Sequence, residues 1–235
     1  MVSISSNLLV FHTSPTNKKK KHVYARTKDL NRDTSLIWLT DDKDLYIMTL
    51  PMDIAKTLGH INEINRLRVL GINRGKTTGY FIPTVAQNKF NIEENCILMF
   101  KKTNIINTYK LIKKIKLSKR FVIRKVTRIK HPRTTQYMTY LPPDMLPYIS
   151  PFLFYNIYED KIILTENVTP HTQYSAKVVI INHKRGGIIR ILHLPTKLIR
   201  ELNKPEKVIL VKESDNPLVI SMHFIYDDGT IFPPL

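Results

Sequence analysis

Residues 191–203 read "ILHLPTKLIRELN", an apolar run that meets Leu194-Pro195 and then turns amphipathic. Related passages stand at 46–59, "YIMTLPMDIAKTLG", at 79–91, "GYFIPTVAQNKFN", and at 137–150, "YMTYLPPDMLPYIS". They align on Pro51, Pro83, Pro142 and Pro195, preceded by Leu50, Ile82, Leu141 and Leu194. Three residues beyond each proline come Ile54, Ala86, Met145 and Leu198, then Ala55, Gln87, Leu146 and Ile199. Leu58, Phe90, Ile149 and Leu202 follow at the seventh position, and Gly59, Asn91, Ser150 and Asn203 at the eighth. A residue before proline is driven toward extended backbone, so a strand should end there. Proline costs little at the start of a helix, where its missing N–H has no partner. Apolar residues at the third, fourth and seventh positions form one helical face, and Gly or Asn at the eighth can take the left-handed conformation that stops it. The pattern predicts a strand–helix junction used repeatedly. Pro147 interrupts the third copy and Gln87 the apolar face of the second.

Outside the junctions, the chain has short runs rich in Ile, Val, Tyr and Phe: "SLIWL", "LRVLGI", "CILMF", "FLFYNIY", "KIILTE", "KVVIIN", "KVILVKE" and "LVISMHF". Asn, Asp, Gly and Pro separate them, as between strands. "EDKI" at 159–162 and "SDNP" at 214–217 carry hairpin-turn chemistry. A helix of such length is unstable alone, so these units must pack on one another. The organisation expected is a flexible basic N-terminal arm at 1–33, a first pair of units at 34–118 and a second at 119–235.

Composition narrows function. Lys+Arg number 37 against 19 Asp+Glu, a net charge of +18 and a pI near 9.9. Such an excess repels itself in a compact chain and favours a polyanionic partner, nucleic acid before a membrane surface. The 43% hydrophobic content suits a globular chain, and 7 Gly with 14 Pro excludes a collagenous one. A lone Cys96 allows no internal disulfide and suits a reducing interior. No apolar run is long enough for a membrane span, and the N-terminus lacks a secretory pattern, so an intracellular location is expected. The abundance of Ile, Lys and Asn points to an AT-rich genome, such as that of an archaeon or virus.

The order strand, basic loop, strand ending in Leu-Pro, short helix and β-hairpin resembles the AbrB/SpoVT/MazE-type swapped-hairpin family. The resemblance is carried by "HKRGGIIRILHLPTKLIRELNKPEKVILVKESDNPLVI" at 183–220, and next by "VTRIKHPRTTQYMTYLPPDML" with "FLFYNIYEDKIILTE" between 126 and 166. It implies a mainly β fold with short helices, in which tandem units intertwine into two small β-barrels and basic side chains of each opening hairpin bind duplex DNA. Carried onto this chain, those side chains are Arg74 and Lys76, then Arg128, Lys130 and Arg133, then Lys184, Arg185 and Arg190. The equivalent stretch of the first unit is "TDDKDLY", where Asp41, Asp42 and Asp44 would repel phosphate.

Independently, "KLIKKIKLSKRFVIRKVTRIKHPR" at 110–133 concentrates cations, and its later part alternates them with apolar residues, which adds Arg124. "GINRGKT" at 71–77 is one residue short of a phosphate-binding loop and precedes no long helix, so it reads as a hairpin turn. "DDKD" at 41–44 has no partnering acid cluster for a metal-dependent nuclease, and the histidines lack ligand spacing. The expectation is a DNA-binding transcriptional regulator, not an enzyme, with no cofactor, metal or catalytic residue assigned. An architectural chromatin-type protein and an antitoxin-like interaction module are the alternatives, and a homo-oligomer or protein partner stays open.

Overall fold

The computed structural model describes residues 6–17, 20–31, 33–58, 61–73, 79–146, 152–183 and 187–235. The fold is mainly β with short helices, divided into two compact units at Ser118/Lys119.

In the first unit, β1 (Leu8–Asn17) and β2 (Lys20–Arg26) form a hairpin, as do β3 (Thr34–Thr40) and β4 (Leu45–Pro51). Then come α1 (Met52–Thr57), β5 (Glu63–Ile64), β6 (Leu67–Asn73), β7 (Tyr80–Phe81), α2 (Thr84–Phe90) and the hairpin β8 (Cys96–Lys102) with β9 (Thr108–Lys116). Hydrogen bonding runs β5-β6-β3-β4-β9-β8-β1-β2-β7. Two halves, 8–51 and 67–116, interlock. The first strand of one pairs with the third of the other (β1 with β8, β6 with β3), second pairs with second (β2 with β7) and fourth with fourth (β4 with β9).

The second unit follows the same scheme. Its strands are β10 (Phe121–Lys125), β11 (Thr127–Lys130), β12 (Thr135–Leu141), β13 (Phe152–Ile157) and β14 (Ile162–Thr165). The second half holds β15 (Thr172–His183), β16 (Gly187–Leu194), α3 (Thr196–Glu201), β17 (Lys207–Asp215) and β18 (Leu218–Ile225), with β19 (Ile231–Phe232) added to β18. β10 and β11 are one strand interrupted at Val126; β10 pairs with β17 and β11 with β12, so this sheet closes on itself. β13 crosses to β15, β12 meets β16 and β14 meets β18, a pseudo-two-fold arrangement.

The junction prolines behave as the sequence pattern demands where helices form. Pro51, Pro83 and Pro195 are N-caps in extended conformation, with ψ of 144°, 138° and 122°. Asn91 stops α2 in the left-handed region at φ 50°, and Asn203 follows α3 at φ 52°. After Pro142 the described residues 143–146 form turns and a bend, and Met145 and Leu146 are fully buried in the barrel core. Gly59, Pro147, Ile149 and Ser150 lie outside the described residues. Gly71 of β6 abuts a junction proline: a Cβ there would sit 2.7 Å from Pro83 Cγ. Gly71→Ala should therefore cost about 1–3 kcal/mol by overpacking, read as a lower denaturant midpoint at constant m-value.

Two expectations need correction. The first is the flexible arm at 1–33. β1 lies between β8 and β2, and Leu8, Leu9, Val10 and Phe11 are 0–3% exposed. A strand covered on both faces shows no alternation, so "LLVF" carries no period-two signal in the sequence. The second is the placement of the first junction. Pro83, Pro142 and Pro195 each separate the second and third strands of a half, but Pro51 ends a fourth strand. α1 instead packs against β3 and β4 while β5 extends the sheet edge beside β6, and Leu58 and Ile64 pack on Ile37, Leu39, Met48 and Leu67. Ile54, the residue matching buried Ala86, Met145 and Leu198, is accordingly 46% exposed. In the first half the slot between β2 and β3 is entered by residues 27–31, where Asp29 accepts from the Val10 N–H at 2.9 Å and Leu30 packs on the core.

Candidate nucleic-acid interface

The interlocked scheme sorts the hairpins into two classes, and charge follows the class. Opening hairpins join the first and second strands of each half; closing hairpins join the third and fourth. In the sequence, the opening connections carry Lys18–Lys21, then Arg74 and Lys76, then Lys130 and Arg133, then Lys184 and Arg185. The closing connections carry Asp41, Asp42 and Asp44 around Lys43, the uncharged "TNIIN" at 103–107, Glu159 and Asp160 beside Lys161, and "ESDN" at 213–216. Lys18, Lys19, Arg74, Lys76, Lys184 and Arg185 themselves lie outside the described residues, while β2 begins with Lys20 and Lys21. So "TDDKDLY" is a closing hairpin, and the opening hairpin of the first half is the β1–β2 pair with its lysine run. Its sequence signal was an apolar run, a polar turn and the "HVYAR" that follows.

Asp41 builds its acidic turn. Its Oδ1 accepts from the backbone N–H groups of Lys43 at 2.9 Å and Asp44 at 2.6 Å, and its Oδ2 from the Tyr46 hydroxyl at 2.9 Å. Burial raises the Asp41 pKa, but these donors and the charge of Lys110 outweigh it and leave the carboxyl below its ordinary value. Tyr46, partly buried and beside Asp41 and Asp44, is pushed up to about 12. A depressed carboxyl stabilises the fold above its unfolded pKa and loses that contribution as pH falls through the folded value. Asp41→Asn should therefore lower the melting temperature at pH 7, with the gap to wild type closing below about pH 4 in a series of thermal melts. Among the described residues no group of three or more His, Cys, Asp or Glu side chains is placed to hold a metal ion.

The basic run at 110–133 divides into two populations. Lys110 pairs with Asp44 at 2.6 Å, Lys116 with Glu93, Lys119 with Glu213 and Arg120 with Asp144. Lys114 donates to the carbonyls of Phe90 and Asn91, at 2.8 and 3.0 Å, at the C-terminus of α2. These cations are held by their own fold. Lys125, Arg128, Lys130 and Arg133 are exposed and have no anionic partner among the described residues. On β11 the exposed Arg128 and Lys130 alternate with half-buried Thr127 and Ile129, so both cations share one face. Arg133 sits on the turn closed by the His131 N–H donating to the Thr134 carbonyl at 2.8 Å.

Two sequence-assigned residues belong elsewhere. Arg190 is 6% exposed, because it shares the inward face of β16 with the core residues Leu192 and Leu194. Arg124 alternates with Lys125 but matches inward Val122 and Val126; it is half-buried and donates to the Ile123 carbonyl at 3.1 Å. Burial lowers the Arg124 pKa, partly offset by the charge of Asp144. Neither lines the exposed hairpin.

In the second unit, β12 and β16 run antiparallel with Tyr137 opposite Leu194. Thr135, at one opening tip, lies two residues outside that pair, and Gly187, at the other, seven residues to its far side. At about 3.3 Å per residue the two tips stand roughly 30 Å apart. No helix among the described residues is long and apolar enough to cross a membrane. No protein-family model matches the chain, and no curated protein matches it in sequence.

Proposed function

We propose that the chain is a duplex-DNA-binding protein, a transcriptional regulator built from two tandem AbrB-type swapped-hairpin barrels, and that its opening hairpins contact the phosphate backbone. The observation that carries this reading is the segregation of net charge by hairpin class: positive at each connection between first and second strands, negative or zero at each connection between third and fourth. A basic surface with no further purpose would give both classes a net positive charge. The pairing of first strand with third, second with second and fourth with fourth in each unit supports the family resemblance.

Arg128, Lys130 and Arg133 supply the electrostatic contacts in the second barrel, and Lys184 and Arg185 belong by sequence to its other opening hairpin. The roughly 30 Å between those tips approaches the length of one turn of B-DNA, about 34 Å, so both can meet one face of a duplex. Phosphate contacts set register, and arginine forks reaching base edges supply sequence preference. The test is a competition experiment. A labelled duplex of about 25 bp is titrated with the full chain, then challenged with random duplex DNA and with RNA. Preferential displacement by duplex DNA is expected; displacement only by RNA, or no binding at 50 mM salt, would overturn the reading. Selection of a preferred sequence from a random pool separates a regulator from an architectural protein, which would show none.

A further inference from the structure

The short helix α3 stands beside the first opening hairpin of the second barrel. The Thr196 hydroxyl donates to the Thr135 carbonyl at 3.1 Å, which ties the start of α3 to the start of β12. Lys130 lies opposite Thr135 across the β11–β12 pair, one strand spacing of about 5 Å away. Arg128 lies opposite Tyr137, and residues paired across a ladder share a face of the sheet. That face is the one on which α3 packs, because Tyr137, Leu194, Leu198 and Ile199 belong to one core cluster. While Leu198 and Ile199 are buried, Lys197 and Arg200, neighbours at a spacing of three, are exposed. Hairpin and helix thus border one stretch of surface, and each brings cations to it.

Helix stability does not account for Lys197. The four proline junctions place Asp53, Val85, Asp144 and Lys197 two residues beyond Pro51, Pro83, Pro142 and Pro195. A carboxylate suits the first turn of a helix, as Asp53 does in α1, whereas a cation opposes the helix dipole there. α3 has no acid in its first turn. Lys197 also precedes Glu201 by four residues, the less favourable order for such a pair. Neither Lys197 nor Arg200 has an anionic partner among the described residues, and exposed Lys204 follows them. In the first half of the same barrel the matching position is Asp144, whose carboxylate is engaged by Arg120.

We propose that α3 is a second element of the duplex-binding surface, with Lys197 and Arg200 contacting the same phosphate backbone as Arg128, Lys130 and Arg133. The contacts come from side chains, not from the backbone N–H groups of the helix end. This inference rests on the DNA reading and deepens it: the two opening hairpins of the second barrel are unequal, and the one beside α3 takes the larger share of the backbone. Because Lys197 opposes its own helix, its removal should separate binding from stability.

The test titrates a labelled duplex of about 25 bp with the full chain, with Lys197→Ala/Arg200→Ala, and with the control Lys56→Ala/Lys161→Ala. The control removes equal charge from α1 and from a closing connection. At about 100 mM salt the α3 pair should weaken affinity roughly five- to tenfold and flatten the salt dependence by up to about 1.8 logarithmic units per decade. The control should change both far less. Lys197→Ala alone should weaken binding yet melt no lower than wild type. A lower melting temperature would make Lys197 a structural residue and overturn the proposal. Wild-type affinity in the α3 pair, or a loss equalled by the control, overturns it too. A wild type that binds no duplex removes the DNA reading and this extension together, whereas binding that survives loss of the α3 pair removes the extension alone.

Discussion

Removing residues 1–26 will unfold the first barrel while leaving the second folded. β1 hydrogen-bonds to β8 on one side and β2 on the other, so the deletion strips the free edge of β8 and removes the partner of β7. Leu9 and Phe11 are both 0% exposed, and Phe11 meets Phe100 edge to face at 5.6 Å. The single-site version, Phe11→Ala, should cost about 3–5 kcal/mol for the lost burial and the cavity left behind. The chain has 1 Trp, and Trp38 is buried in this same cluster, packed on Phe100 at 6.1 Å, so its fluorescence reports the first unit alone. In the truncated chain the emission should shift to that of solvated indole, and in Phe11→Ala the denaturant midpoint by Trp emission should fall. A truncated chain that kept a buried Trp38 and a wild-type midpoint would restore the first 33 residues to the role of a loose arm.

The second large effect concerns binding. Replacing Arg128, Lys130 and Arg133 together with Ala should weaken duplex affinity on the order of 10–100-fold at about 100 mM salt and flatten the salt dependence by up to about 2.7 logarithmic units per decade. The three are exposed and have no anionic partner among the described residues, so their loss should remove the proposed phosphate contacts without disturbing packing. Replacing Lys110, Lys114 and Lys116 is the control. It removes the same charge, but those side chains serve Asp44, the end of α2 and Glu93. The control should lower stability and alter the salt slope less. Equal effects on binding from both triples would mean that net charge, rather than hairpin position, governs the interaction.

How much of this was legible in the sequence depends on the range of the interaction. The proline junctions are local: Leu194-Pro195 followed by Leu198, Ile199 and Asn203 specifies a strand end, a helix face and a stop, and the fold honours each. The phase of the first unit is not local. "TLPMDIAKTLG" satisfies the same rules as "HLPTKLIRELN", and only the pairing of β4 with β9 reveals that Pro51 ends a fourth strand. β1 failed to announce itself because burial on both faces erases alternation. Arg128 and Lys130 were readable from their spacing against Thr127 and Ile129. The division of the basic run was not, because Lys116, Lys119 and Arg120 find partners 23, 94 and 24 residues away. Arg190 did carry a signal, since it keeps the parity of Leu192 and Leu194; its positive charge invited a surface assignment that the strand's own alternation argued against.

The central claim, that opening hairpins bind the backbone of duplex DNA, is tested most directly by the salt dependence of wild-type binding. Fluorescence anisotropy on a labelled duplex of about 25 bp, repeated at steps between 50 and 200 mM salt, gives that slope. Six or more phosphate contacts predict an affinity loss of roughly 10³-fold or more across that range. An affinity that stays flat with salt, or no binding at 50 mM, would contradict the account and assign the basic hairpins to another partner.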